Sequence, residues 1–259
     1  MNRIQQLFEK KKKNLLAVYF TAGYPHLNDT VTIIRELEAA GADLVEIGIP
    51  FSDPLADGPT IQKSGEKALE NGISLKLIFE QLKEIRKEVK IPLVFMGYLN
   101  PIFKFGIKRF AEKCAEAGID GLILPDLPVQ EYLNDFKETF EACSLSNIFL
   151  ITPQTPEERI RKIDEISNGF IYMVSSSSTT GAKSAIQSNQ ESYFSRIQGM
   201  NLKTPSLIGF GISNHETFEK ACRFANGAII GSAFINALSE SENLKDTIHD
   251  FVKSVKSKA

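Results

Sequence analysis

The stretch AAGADLVEIGIPFSDPLADGPTIQ, residues 39 to 62, passes from a helix end through a strand into a loop. Glycine after a helix accepts the left-handed backbone that ends it, so AAGAD reads as a cap feeding a strand. The strand is Leu44, Val45, Ile47 and Ile49, interrupted by Glu46. The same small-residue junction recurs at EAGID, ISNGF and FANGA, each read as a helix cap before an apolar run.

Those runs are LLAVYFT from Leu15, DLVEIGI from Asp43, IPLVFMGY from Ile91, GLILPD from Gly121, IFLIT from Ile148, GFIYMVS from Gly169, SLIGFG from Ser206 and GAIIGS from Gly227, eight in all. Their length and their β-branched and aromatic content favour buried parallel strands. Between them lie amphipathic helical patterns: VTIIRELEAA from Val31, LKLIFEQLKEIRKEV from Leu75, IKRFAEKCAEA from Ile107, PEERIRKIDEI from Pro156 and HETFEKACRFA from His215. Eight βα units point to an α/β fold of the (β/α)8 TIM-barrel type, preceded by an extra N-terminal helix. The chain of 259 residues is expected to form a single barrel domain, 1–259. A doubly wound open sheet competes, but no GxGxxG follows the first strand and no phosphate-binding Walker loop occurs. Two loops read as long, Pro50 to about Ser74 after strand two and Ser175 to about Gln187 after strand six. Both lie at strand C-terminal ends, where barrels place active sites.

Composition removes several function classes. The hydrophobic fraction is 42% and the net charge −2, with no basic face for nucleic acid. The run EKKKK at residues 9–13 reads as the solvated end of the N-terminal helix. No run is long enough to span a membrane, and the N-terminus lacks a signal-peptide core. Cys114, Cys143 and Cys222 follow no metal or CxxC spacing, as expected of free thiols in the cytoplasm.

Side chains alternate along a strand. Val45, Ile47 and Ile49 share one face, suited to the outer helices, so Leu44, Glu46 and Gly48 point into the barrel. Burial disfavours the Glu46 anion and leaves a carboxyl able to hold a proton near neutrality. The structural alternative is a glutamate satisfied by backbone and hydroxyl groups. Asp57, in PLADGP, is either a second site carboxylate or a turn residue, and Asp53 reads as more exposed. No strand carries a lysine for Schiff-base chemistry, and the three histidines have no metal-ligand spacing. Carboxylate acid–base work remains, with Tyr98 and Tyr172 as hydroxyl donors. GFGIS and GSA place Gly211, Gly231 and Ser232 where strands seven and eight end, a frequent phosphate site in barrels.

LVEIGIPFSDPLADGPTIQ resembles the signature of the tryptophan synthase alpha subunit family. The likeness extends to FTAGYP (20–25), GYLNPIFKFG (97–106), LILPDLPVQE (122–131), STTGA (178–182), GFGIS (209–213) and GAIIGSA (227–233). The resemblance implies cleavage of a phosphate ester, indole-3-glycerol phosphate, to indole and glyceraldehyde 3-phosphate. It implies Glu46 as the acid–base residue and Asp57 as the carboxylate on the indole N–H. Tyr19, where many members have phenylalanine, Tyr98 and Tyr172 match substrate contacts. Gly181, Gly211, Gly231 and Ser232 match phosphate contacts, and Thr180 matches a residue orienting the Asp57 loop. Asp53 and Pro54 match a surface meeting a beta subunit in an αββα heterotetramer. No cofactor is implied in this chain; pyridoxal phosphate is expected in the beta subunit. One departure stands at Ser176, where many members carry arginine. It keeps open the alternative of a catalytically silent subunit that only activates its partner.

Overall fold

A computed structural model describes residues 2–54, 57–174, 188–209 and 211–257. Eight parallel strands close into a barrel in sequence order. They are β1 (Leu15–Thr21), β2 (Leu44–Gly48), β3 (Leu93–Met96), β4 (Gly121–Ile123), β5 (Ser146–Ile151), β6 (Ile171–Val174), β7 (Ser206–Gly209) and β8 (Gly227–Ile230). The ring closes through β1, which pairs with β2 on one side and β8 on the other.

The two faces of β2 divide as alternation requires. Val45, Ile47 and Ile49 join the apolar layer between sheet and helices. Leu44 joins the interior with Leu15, Ala17, Val94, Ile123, Ile148, Phe170 and Ile229. The extra helix, Arg3–Lys10, plugs the N-terminal end of this interior with Ile4 and Phe8. Burying each such side chain contributes roughly 1.5–3 kcal/mol.

A polar hub fixes that plug. Asn2 caps the helix through a reciprocal capping box and donates Nδ2–H bonds to the Asp120 carbonyl at 2.9 Å and to Ser146 Oγ at 2.8 Å. Asp120 is buried at 2% exposure and accepts from Arg86 at 2.6 Å, Arg3 at 3.1 Å and the Leu93 N–H at 3.0 Å.

Three expectations are corrected. The segment after β2 is not all loop, because Pro59–Glu70 is a helix with Gly58 at its N-cap and proline in the first turn, where a missing N–H costs nothing. The helix from Leu75 ends at Leu82 and gives way to a 3-10 turn, Ile85–Lys87. There Arg86 turns inward to donate to the carbonyls of Gly118 and Ile91. Of the four junctions read as caps, Gly41 and Gly118 are left-handed caps, but ISNGF and FANGA are not. Asn226 instead ties strands, accepting from Ser206 N–H at 2.9 Å and donating to the Lys12 carbonyl at 2.7 Å. A Cβ on Gly227 would lie 2.0 Å from the Leu15 carbonyl oxygen, so glycine is required by the approach of β1 to β8. The expected loop Ser175 to Gln187 lies outside the described residues.

Removing Asp120 leaves Arg86 facing buried carbonyls without its counter-charge. Asp120→Ala is expected to lower unfolding free energy by about 3–5 kcal/mol, the scale for breaking a buried pair. Urea denaturation measures it, and a change below 1 kcal/mol, the scale of exposed pairs, would show that the hub carries no such load.

Candidate active site

Strand register brings the inward residues together at the C-terminal end of the barrel. Tyr19 on β1 is the direct partner of Glu46 on β2. Glu46 is fully buried, and among the described residues neither carboxylate oxygen has a hydrogen-bond partner. The reading of Glu46 as satisfied by backbone and hydroxyl groups therefore fails. Burial pushes its pKa up from 4.5 to about 8, since a charge without donors is strongly disfavoured in an apolar interior.

Two tyrosines lie across neighbouring strands, each over a glycine. A Cβ on Gly48 would sit 2.1 Å from the Tyr19 phenol oxygen, and one on Gly209 would sit 2.2 Å from that of Tyr172. Neither glycine stood out as a site residue in the sequence, although both occupy inward positions at strand ends. Burial raises both phenol pKa values, and the nearby Glu46 and Asp57 raise them further. Both phenols stay protonated.

Asp57 follows β2 at the start of the Pro59–Glu70 helix. The Tyr98 hydroxyl donates to its Oδ2 at 3.1 Å, and the Tyr98 ring packs against Phe51 at 5.4 Å between centroids. Burial raises the Asp57 pKa, and the Tyr98 bond partly offsets this. Gln62 pins the loop backbone by donating to the Asp57 carbonyl at 2.8 Å.

Above these groups opens a cleft lined by Tyr19, Asp57, Tyr172, Gly211, Gly231 and Ser232. Ile61, Met96, Ile212 and Ile229 supply its apolar walls. The sequence reading had not singled out these four, because their apolar character looks the same in a core. Glu46 is fully buried next to this cleft and is not among its lining residues. At the opposite lip, Gly211 has the left-handed φ of 76°, and Ser232 starts the helix Ser232–Ser239 directly after β8. A helix N-terminus and a glycine turn together present backbone N–H groups to an anion.

Asp53 is exposed and Pro54 half-buried on the outer side of the β2 loop. Thr180 and Gly181 lie outside the described residues. Among the described residues no group of His, Cys, Asp and Glu is arranged to hold a metal, and no helix is long and apolar enough to cross a membrane. Cys114, Cys143 and Cys222 are free thiols.

Three comparisons with known proteins agree. A family model described as tryptophan synthase alpha chain matches residues 4–258. The tryptophan synthase alpha chain of Flavobacterium psychrophilum is 59% identical over 255 residues, covering 98% of this chain and 100% of that one. The crystal structure of tryptophan synthase subunit alpha from Legionella pneumophila superposes with a TM-score of 0.89 at 34% identity, covering 99% of this chain and 97% of that one. A structure of Mycobacterium tuberculosis tryptophan synthase gives 0.88 at 29% identity, covering 98% and 97%.

The raised Glu46 pKa has a stability consequence. Below pH 4.5 folded and unfolded chains both hold the proton. Between 4.5 and about 8 the unfolded chain ionises while the folded one does not, so the wild type loses stability as pH rises. Glu46→Gln is expected to be more stable than wild type at pH 8.5 by roughly a few kcal/mol, with the gap closing towards pH 4.5. Urea midpoints of both proteins across that range test this, and parallel stability curves would contradict it.

Proposed function

The chain belongs to the tryptophan synthase alpha chain family, whose reaction cleaves indole-3-glycerol phosphate to indole and glyceraldehyde 3-phosphate, and we propose that Glu46 and Asp57 carry that cleavage here. The enzyme is a carbon–carbon lyase of tryptophan biosynthesis. The alpha chain works without a cofactor of its own, in complex with a beta subunit that holds pyridoxal phosphate.

The observation that carries the site assignment is Glu46, a buried carboxyl that holds its proton near neutrality beneath an apolar cleft. Carbon–carbon cleavage of this substrate needs an electron sink. Protonating indole C3 makes the ring one, and a protonated Glu46 is the group to supply that proton. The positive charge then spreads onto the ring nitrogen, where the Asp57 carboxylate, steadied by Tyr98, accepts the N–H. The Glu46 anion next takes the proton of the hydroxyl on the attached carbon. The carbon–carbon bond breaks as the carbonyl forms, its electron pair returns to the ring, and Glu46 is again protonated.

The cleft suits such a substrate at both ends. Ile61, Met96, Ile212 and Ile229 offer apolar walls to the indole, beside Tyr19 and Tyr172. Gly211, Gly231 and Ser232 offer backbone N–H groups to the phosphate. Thr180 and Gly181 belong to the same assignment by family resemblance. The exposed Asp53 and adjoining Pro54 form part of the face for the beta subunit, in an αββα assembly. Residues 1–259 act as one barrel domain, supported by the C-terminal helix Leu244–Lys256 packing back beside Thr30–Ala40. Three free thiols support a cytoplasmic location.

Indole release from indole-3-glycerol phosphate, with and without a beta subunit, is the deciding measurement. Glu46→Gln and Asp57→Asn are each expected to lose at least ~10²-fold in kcat with the fold retained, the usual scale for acid–base groups. Near-normal turnover in either variant removes that residue's role. No release from wild type even with a matched partner would favour a silent activating subunit.

A further inference from the structure

Three linked hydroxyl groups, one of them on Tyr19 next to Glu46 in the strand register, have no part in the chemistry above. The Tyr19 phenol oxygen lies 3.4 Å from Thr21 Oγ1, and Thr21 Oγ1 lies 2.6 Å from Ser64 Oγ. Ser64 donates to the Ile61 carbonyl at 2.8 Å. Each hydroxyl has a single proton. That of Ser64 is spent on Ile61, so Thr21 must donate to Ser64. The Thr21 proton is then spent, so the phenol must be the donor to Thr21. The chain runs one way only, from Tyr19 to the Pro59–Glu70 helix. Thr21 and Ser64 are both 1% exposed, which shields these bonds from solvent competition.

The position of the phenol gives this direction a consequence. Gly48 is the next residue after Glu46 on the inward face of β2, and the phenol oxygen lies over it. The Tyr19 hydroxyl therefore stands one step towards the rim from a carboxyl that has no donor. The other titratable groups facing Glu46 are Tyr172 on β6 and Asp57 in the loop after β2, with Tyr98 behind Asp57 and donating to it. Among the described residues no cation belongs to this cluster.

We propose that the Thr21–Ser64 pair is a positioning device that commits the Tyr19 phenol proton to the Pro59–Glu70 helix and so keeps Glu46 without a hydrogen-bond donor. Thr21 and Ser64 act through Tyr19 and touch no substrate. A phenol released from Thr21 would turn to the neighbouring carboxyl, and a donor to a carboxylate favours its anion. Glu46 would then lose the proton it needs at neutral pH. The inference rests on the acid–base role of Glu46.

The test is a carbon-13 NMR titration of the full chain labelled at glutamate carboxyl carbons, with Glu46 assigned by the resonance lost in Glu46→Gln. Wild type is expected to titrate at about 8. Thr21→Val, which keeps the shape and removes the acceptor, is expected to lower that value by about one unit or more. Tyr19→Phe added to Thr21→Val should restore the wild-type titration, and Thr21→Ser should preserve it. Ser64→Ala leaves strand β1 untouched and covers the case in which Thr21→Val does not fold. It frees the Thr21 proton to turn to the phenol and is expected to shift Glu46 in the same direction. An unchanged titration in the folded variants, or a shift that survives Tyr19→Phe, overturns the proposal. The readout needs no turnover, so it stands apart from indole release in Glu46→Gln, which judges the acid–base role itself.

Discussion

A carboxyl group sealed inside the barrel without a hydrogen-bond donor is the constraint on which the C-terminal face depends. Glu46 could be made comfortable by one neighbouring hydroxyl, and three tyrosines stand close enough to shape its surroundings. The Tyr19 phenol points over Gly48 towards Thr21, that of Tyr172 lies over Gly209, and that of Tyr98 serves Asp57. Among the described residues none of them donates to Glu46. The glycines are part of this arrangement, because any side chain at Gly48 or Gly209 would occupy the space of a phenol oxygen.

The opposite end of the barrel treats a buried acid in the contrary way. Asp120 is as inaccessible as Glu46, yet two guanidinium groups and a backbone N–H satisfy it. Its bonds tie the N-terminal helix, β3 and β4 into one floor. Stability is concentrated where the acid is paired, and reactivity where it is not. This matches the general division of barrels into a stabilising N-terminal face and a reactive C-terminal one. The two acids do not interact, so the floor can be rigid without fixing the protonation of the site.

On the proposed reading, the cleft is matched to a substrate with two unlike ends. Aliphatic side chains from different elements, Ile61, Met96, Ile212 and Ile229, form one part. The glycine turn at Gly211 and the helix start at Ser232 form the other. On the proposed reading the apolar part holds the ring that becomes the electron sink, and the N–H groups hold the phosphate away from Glu46.

Hydrophobic periodicity in the sequence determined the eight strands and their order, because a strand buried on both faces must be apolar wherever it lies in the chain. The same alternation determined that Glu46 points inward, and the strand-end glycines pointed to the lip proposed here for an anion. Asp57 was not settled by its own surroundings, since an aspartate before glycine serves equally well in a turn; only the family signature set it apart. Tertiary structure alone decided the rest. ISNGF and FANGA looked like the caps at Gly41 and Gly118, but Gly227 answers to a carbonyl on β1, a neighbour 212 residues away in sequence. Ser64 lies in an ordinary helix and Thr21 at an ordinary strand end, and nothing local reveals that they share a hydrogen bond of 2.6 Å. Periodicity records which face a residue buries, a property of the local chain. The partner it meets there depends on how β1, β2 and the following helix are brought together, and that is fixed only when the barrel closes.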